Sequence, residues 1–159
     1  MAVFTNKVFP SGGEAGSGGG IIQVVTAEST SMSQAPSSTN TWTDVAPTCS
    51  ITMHESTNKV LISLSSGVTT EWAGAVGFKL LRGSTEVVIH TGYTWNNTRW
   101  QYSAAPFTNV VDSPGAGTHT YKVQIRSSRN TQFYWNSNQT PQLSSNDSKA
   151  IMTLMEFSS

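Results

Sequence analysis

Short stretches in which apolar and polar residues alternate recur along most of the chain. In Thr118–Arg126, the apolar residues Tyr121, Val123 and Ile125 fall on one side of an extended backbone, and polar residues fall on the other. Lys59–Ser65 alternates in the same way. Because successive side chains of a β-strand point to opposite faces, this pattern predicts half-buried strands.

Turn residues separate these stretches. Gly83-Ser84 predicts a hairpin, Asp112–Gly115 predicts a turn, and Pro47 separates two strands. No segment has a sustained helical period with caps. The sequence therefore predicts an all-β, antiparallel β-sandwich with a jelly-roll-like arrangement. Its expected strands are Ile21–Thr26, Trp42–Val45, Cys49–Met53, Lys59–Ser65, Gly77–Arg82, Glu86–His90, Arg99–Tyr102, Phe107–Val111, Thr118–Arg126, Gln132–Trp135 and Ala150–Phe157.

The last of these stretches, Ala150–Phe157, is apolar on both faces. A strand of this kind needs cover on both sides. One interpretation is a central strand that lies under a loop. The other places Met152 and Leu154 in an oligomer interface, because exposed apolar patches usually mark contacts.

The first twenty residues differ from the rest. Ser11–Gly20 is dominated by glycine, which loses much freedom when it is ordered. We therefore expect an extended N-terminal arm over residues 1–20 and a β-sandwich domain over 21–159. The apolar residues of the arm are expected to dock on a partner in an assembly: Val3, Phe4, Val8 and Phe9.

Charge content and the lengths of apolar runs reduce the number of possible functions. Only 11% of the 159 residues are charged, and the formal net charge is zero. The basic footprint of a nucleic-acid-binding protein is missing, and no apolar run approaches the length of a membrane span. A neutral surface has little self-repulsion and suits a protein that associates. Met1–Pro10 lacks a signal-peptide pattern, so synthesis in the cytosol is expected.

No motif indicates catalysis, a metal or a cofactor. His54-Glu55 lacks the second histidine of a zinc-protease helix, because Asn58 occupies that position. His54, His90 and His119 have no metal-ligand spacing. No nucleophile elbow is present, and the carboxylates are dispersed. A spatial pair of catalytic carboxylates is left open by the sequence, although nothing favours one.

Aromatic residues cluster beside amide side chains and are the best candidates for a contact site. Such rings stack on sugars, fill sandwich cores and are enriched at protein interfaces, so all three interpretations stay open. The candidates for glycan or partner contact are Tyr93, Trp95, Trp100, Tyr102, Tyr134 and Trp135.

Several segments, taken in order, resemble a family of small bacteriophage virion structural proteins from phages of aquatic bacteria, including tail-fibre and capsid decoration proteins. The resemblance implies a β-sandwich without catalysis that assembles as a trimer. It covers about residues 21–157 and departs from the family pattern at Met53-His54. The segments that carry it are Ile21–Val25, Thr41–Val45, Ser50–Thr52, Asn58–Ser65, Gly77–Thr85, Asp112–Ser127 and Ala150–Phe157.

Three functions are compared. A non-enzymatic capsid decoration or cement protein would bind the major capsid protein or another virion protein and stabilise the shell. A receptor-binding tail-fibre or spike tip would present the aromatic candidates to host surface glycans. A hydrolase would need a cleft with paired carboxylates or a histidine dyad. We expect the first, located in the virion, with the tail-fibre tip as the alternative.

Overall fold

The computed structural model describes residues 4–8, 20–31, 33–35, 41–71, 74–94, 101–104, 109–127, 132–136 and 149–158. These residues form strands joined by turns, and no helix capable of spanning a membrane occurs among them. The strands are β1 (Phe4–Val8), β2 (Ile21–Ser29), β3 (Ser33–Ala35), β4 (Thr43–Met53), β5 (Lys59–Ser65), β6 (Gly67–Glu71), β7 (Gly74–Arg82), β8 (Thr85–Thr94), β9 (Gln101–Ala104), β10 (Val110–Asp112), β11 (Gly117–Ser127), β12 (Gln132–Trp135) and β13 (Ala150–Phe157).

The strands form three antiparallel sheets. Sheet A has the order β1-β2-β13-β5-β10, sheet B the order β3-β12-β6-β9, and sheet C the order β4-β11-β7-β8. Apart from β1, each strand of sheet A has a chain neighbour at the same place in sheet B; only Ser66 separates β5 from β6. Sheets A and B therefore form two halves of one long layer, and sheet C forms the other layer.

The core lies between these two layers. Strands β2 and β13 of sheet A contact β4 of sheet C, and the inward residues of β11 are fully buried, as the alternation predicted. Sheet B packs on the same layer through Phe78 and Phe133, whose ring centroids are 5.2 Å apart in an edge-to-face arrangement. Edge-to-face pairing is favourable because the positive ring edge meets the negative face. The all-β, antiparallel sandwich predicted from sequence is confirmed.

Strand β4 corrects one boundary prediction. Two strands separated by Pro47 were expected, but Thr43–Met53 is a single strand. Opposite it, Tyr121 pairs with Cys49 while Val123 pairs with Val45, so β4 carries extra residues in an irregularity there. Proline lacks an N–H for the ladder and is tolerated where the pairing is interrupted.

The N-terminal segment also differs from expectation. Phe4–Val8 pairs antiparallel with β2 and forms the outermost strand of sheet A, so this part of the predicted arm lies on its own domain. Val3, Phe9 and the glycine-rich residues 9–19 lie outside the described residues. Strands β3 and β6 were not predicted, since Ser33–Ala35 and Gly67–Glu71 lack strong alternation.

Strand β13 overturns the interface prediction for Met152 and Leu154. Both side chains are fully buried inside the single chain, in the core between the sheets. They cannot contact another subunit because no part of them reaches the surface. The opposite residues of the strand, beginning with Ile151 and ending with Phe157, are half-buried and face outward. The strand was correctly bounded, but its interior and exterior faces were exchanged.

Candidate functional site

Polar side chains line one end of the inner face of sheet A. Gln23, Glu156, Val60 and Asp112 are consecutive partners across β2, β13, β5 and β10. Three of these four are polar, whereas most of the other inward residues of sheet A are apolar. The carboxylates of Glu156 and Asp112 lie two strands apart, with β5 between them, and neighbouring strands are about 4.8 Å apart. The turns that follow β4 and β10 lie at this end of the sandwich.

Glu156 is fully buried and accepts four hydrogen bonds. Oε1 accepts from the backbone N–H of His54 at 2.8 Å and from Asn58 Nδ2 at 2.7 Å. Oε2 accepts from Gln23 Nε2 at 2.6 Å and from His54 Nδ1 at 2.8 Å. Gln23 Nε2 also donates to the carbonyl of Thr52 at 2.6 Å. Both carboxylate oxygens are therefore fully satisfied, as a buried charge requires.

These hydrogen bonds set the charge state of Glu156. Burial alone would raise the pKa of this carboxyl group. Hydrogen bonds from Asn58, His54 and Gln23 outweigh burial and lower the pKa from 4.5 to about 2. The side chain is therefore an anion at neutral pH, and it holds the turn after β4 against the end of β13.

The hydrogen-bond roles fix the orientation of the His54 ring. A carboxylate accepts only, so Nδ1 carries the proton donated to Glu156. Gln23 Nε2, 3.2 Å from Nδ1, uses its two hydrogens on Glu156 and Thr52, and this approach is a contact rather than a hydrogen bond. The ring is 49% exposed and turns Nε2 away from the carboxylate.

A histidine oriented by a carboxylate resembles part of a catalytic triad. In the described part of the chain, however, the His54 side chain hydrogen-bonds only to Glu156, and its other close polar contact is Gln23 and not a hydroxyl or thiol. The same residues contain no cluster of three metal-ligating side chains. Chemically, this arrangement holds the turn after β4 in place.

Asp112 completes the row with a second, partly buried network. Its Oδ2 accepts from Arg82 Nη1 at 2.7 Å and from the hydroxyl of Tyr121 at 2.8 Å, and Oδ1 accepts from the backbone of Ser113. Burial and the Asp112 charge raise the pKa of Tyr121 far above its ordinary value. This network joins β10 to β7 and β11, and so closes the same end of the core between the two layers.

A second feature lies on the outer face of sheet A. Val24, Met155, Leu61 and Val111 are consecutive partners on β2, β13, β5 and β10. Val111 is 52% exposed, and the other three are half-buried. We call these four residues the apolar row. They form a hydrophobic stripe across four of the five strands that no other described part of the chain covers, and on β1 the partner of Val24 is Lys7.

The residues beside the apolar row are also uncharged for the most part. The next row along the strands is Thr26, Thr153 and Ser63. On the other side, Phe157 is half-buried and pairs with Ile21, which is 49% exposed, and with the charged residue Lys59. The part of this face that is made of aliphatic and hydroxyl side chains loses little hydration when it is covered. This face therefore has the composition expected of a contact surface.

Trp42 lies on the outer face of sheet C. The ring covers Gly77, where an added Cβ would be 2.9 Å from Trp42 Cη2. Lys79 Nζ lies 4.5 Å from the ring centroid, and the Arg126 guanidinium carbon lies 4.6 Å from it. Cations at this distance are attracted by the ring quadrupole. The sequence segment had been assigned to a strand without a contact role, so this aromatic site was missed.

The aromatic candidates separate into different groups. Trp135 is fully buried, and its Nε1 donates to the carbonyl of Ala46 at 2.6 Å. Its ring lies 6.3 Å from Phe78 in the core. The contact prediction for Trp135 is therefore wrong, and the core interpretation is correct. Tyr134, its neighbour on β12, is half-buried.

Four further candidates cannot be placed in a site. Tyr93 and Tyr102 belong to β8 and β9, which pair in different sheets, and their side chains are outside the described residues. Trp95 and Trp100 lie entirely outside the described residues. Their proposed contacts stay predictions.

The Glu156 network was not found by sequence reasoning. A signal was nevertheless present, because Glu156 follows Met152 and Leu154 at the same two-residue spacing. A carboxylate in phase with a core face indicates either a surface or a buried polar network. The phase of β13 had been reversed, and Glu156 was accordingly not considered an interior residue.

No protein-family model matches the chain. A search of curated proteins likewise found no match.

Proposed function

We propose that this protein is a non-enzymatic structural protein of a bacteriophage particle, and that it acts as a capsid decoration or cement protein. The observation that carries the proposal is the apolar row on the outer face of sheet A. Val111, at 52% exposure, and its half-buried neighbours Leu61 and Met155 would be covered by another copy or by a shell protein. Contact between copies through this face replaces the interface first predicted at Met152 and Leu154.

The strand order supports a jelly-roll body, which is common in viral capsid proteins and also occurs in lectins and cupins. When β1 is left out and each other sheet A strand is joined to its sheet B neighbour, four long segments result. Together with the four strands of sheet C they give eight successive segments along the chain. The first pairs with the eighth, the second with the seventh, the third with the sixth and the fourth with the fifth. This is the pairing of one long hairpin rolled around its own core.

The mechanism is thermodynamic. A protein that binds only the assembled shell stabilises that shell by mass action. Several weak contacts from a trimer combine through avidity, so one sheet face on each subunit is sufficient to hold the trimer on the shell. Zero net charge and few charged residues limit repulsion between many neighbouring copies. The major capsid protein, or another virion protein, is the proposed partner.

Mutation of the exposed face tests this proposal. Val111→Lys places a charge on the apolar row without touching the core, and we expect loss of self-association and of binding to purified shells. Ile89→Lys is the matched control, because Ile89 is 40% exposed on sheet C. Light scattering and co-sedimentation with shells measure the two effects. Unchanged oligomers and shell binding in Val111→Lys would refute the proposal.

A receptor-binding tail-fibre or spike tip is the alternative. Trp42 favours it, because a partly exposed indole beside Lys79 and Arg126 could stack on a sugar and bind an acidic group. Copy number separates the two functions: hundreds per particle support decoration, and a few tens or fewer support a fibre. Binding of host surface glycans that is lost in Trp42→Ala would favour the fibre.

A further inference from the structure

Strand β1 is one of the two edge strands of sheet A. It lies at the edge of the sheet, and its extensive contacts are with β2 alone. Five residue pairs join the two strands, from Phe4 opposite Ala27 to Val8 opposite Gln23. An edge strand that is held by one ladder can separate at a lower free energy than a central strand.

The connection between β1 and β2 is much longer than their pairing requires. The other edge hairpin, β7–β8, turns through Gly83-Ser84 alone. By contrast, twelve residues, 9–20, join β1 to β2, and six of the ten in Ser11–Gly20 are glycine. Antiparallel neighbours usually need only two to five connecting residues. The connection is therefore longer than a hairpin within one chain needs.

Length gives this connection reach. Twelve residues can span up to about 40 Å when extended, which exceeds the width of a five-stranded sheet at about 5 Å per strand. The same ladder between Phe4–Val8 and Gln23–Ala27 can therefore form within a chain or between two chains. Only the effective concentration of the two strands distinguishes these arrangements.

We propose that β1 is exchanged between copies of this chain, so that Phe4–Val8 of one copy pairs with Gln23–Ala27 of its neighbour in the assembly. This inference rests on the proposed self-association, which brings β2 of a second copy within reach. Exchange would convert a local hairpin into a tie between subunits without changing a single backbone pairing. The partner is thus a second copy, bound by strand addition at the edge of sheet A.

Crosslinking between two differently labelled chains tests the exchange. Thr5 and Thr26 lie opposite each other in the ladder, so Thr5→Cys in one chain and Thr26→Cys in another should form a disulfide between copies. The two variants are mixed, co-assembled, oxidised mildly and separated on a denaturing gel. Cys49 is fully buried and is retained in every variant.

A matched control uses the next strand. Thr153 is opposite Thr26 on β13, which places it about 10 Å from Thr5 and beyond disulfide reach. Mixing Thr5→Cys with Thr153→Cys should therefore give no covalent dimer. Deleting residues 11–18 leaves a four-residue connection and should abolish the crosslinked dimer while keeping the chain folded.

The outcomes are distinct. A covalent dimer that is specific to the Thr5→Cys and Thr26→Cys mixture, and that is lost on shortening the connection, supports exchange. Oligomers that form without this crosslink overturn exchange but leave the proposed function standing. A monomer that also fails to bind shells overturns both. The double variant in one chain, which closes its disulfide internally, shows by its yield of oxidised monomer that the cysteines are correctly placed.

Discussion

The two outer faces of the sandwich differ sharply in chemistry, although both are built from alternating strands. Sheet C presents ion pairs and amides: Lys122 lies 2.8 Å from Asp44, and Lys79 lies 3.1 Å from Glu86. Further along, hydroxyl groups pair across the strands, as with Ser50 and Thr120 at 2.7 Å. Sheet A presents the apolar row and a row of threonine and serine, and its charged groups lie to either side of these rows, with Glu28 paired to Lys149 at one end and Lys59 beside Phe157 at the other.

This difference indicates which face can be covered. Burying an exposed ion pair requires removal of water from two charges, and the attraction between them seldom compensates. Burying aliphatic side chains is favourable by about 25 cal/mol per Å². The free energy of association therefore favours contact through the apolar row of sheet A over contact through the ion pairs of sheet C.

The largest expected effect on stability comes from a charge placed on the inner face of β13, and the same change on its outer face should have a much smaller effect. Leu154→Asp places an unpaired charge in the core and should cost about 4 kcal/mol or more, which is enough to unfold a small domain. Met155→Asp changes the neighbouring, outward-facing residue. It should cost only about 1 kcal/mol of stability, because the charge stays hydrated, and it should reduce association.

Urea unfolding and light scattering on both variants measure these effects. If Leu154→Asp remained folded and merely became monomeric, the assignment of the two faces would be reversed. If Met155→Asp associated as fully as the native chain, the claim that copies associate through the outer face of sheet A would be contradicted.

The next effect concerns the Glu156 network. In Glu156→Gln, an amide NH₂ replaces an oxygen that accepts from Gln23 and His54, so donors face donors. The lowered pKa corresponds to about 3 kcal/mol at neutral pH, and we expect a loss of this size. Glu28→Gln is the control, because Glu28 lies on the outer face and pairs with exposed Lys149.

The same network gives a pH dependence with a defined sign. The unfolded carboxyl binds its proton near pH 4.5, whereas folded Glu156 binds it only near pH 2. Its stabilisation is therefore complete above about pH 4.5 and is lost as the pH falls toward 2. The stability difference between the native chain and Glu156→Gln should shrink over this range. A constant difference down to pH 2 would contradict the assignment.

Local alternation was enough to predict most of the fold. Gln132–Trp135 and Ala150–Phe157 match β12 and β13, and the inward residues of Thr118–Arg126 were correctly identified. Short strands such as β3 escaped prediction because three residues cannot establish a period. Strand order could not be derived at all, since pairing between β2 and β13 joins opposite ends of the chain.

The candidate site was less predictable for a physical reason. In β13 both faces are apolar, so periodicity defines two faces but does not say which is interior. The Glu156 network depends on side chains from β2, β13 and the turn at His54–Asn58, which are far apart in sequence. Only the assembled sandwich brings these polar groups together around a single carboxylate.

A smaller effect is expected at Gly77 on sheet C. In Gly77→Ala the new Cβ would meet Trp42 at 2.9 Å and displace the ring from Lys79 and Arg126. We expect a loss of about 1–2 kcal/mol from this overpacking, with association unchanged. Gly20→Ala is the control, because nothing lies within 4 Å of its added Cβ. Thermal unfolding measures the stability of both variants. If Gly77→Ala and Gly20→Ala were equally stable, the packing of the Trp42 ring on Gly77 would be contradicted.

The smallest effect tests the ion pairs of sheet C directly. Lys122 and Asp44 are 29% and 58% exposed, and Gln124 also donates to Asp44 at 2.7 Å. Because water and salt screen exposed pairs, Lys122→Ala should cost about 0.5 kcal/mol or less, and salt should reduce that cost further. Association should stay unchanged, as measured by light scattering at matched concentrations. Dissociation of the oligomer in Lys122→Ala would instead place sheet C in the interface and reverse the comparison of the two faces.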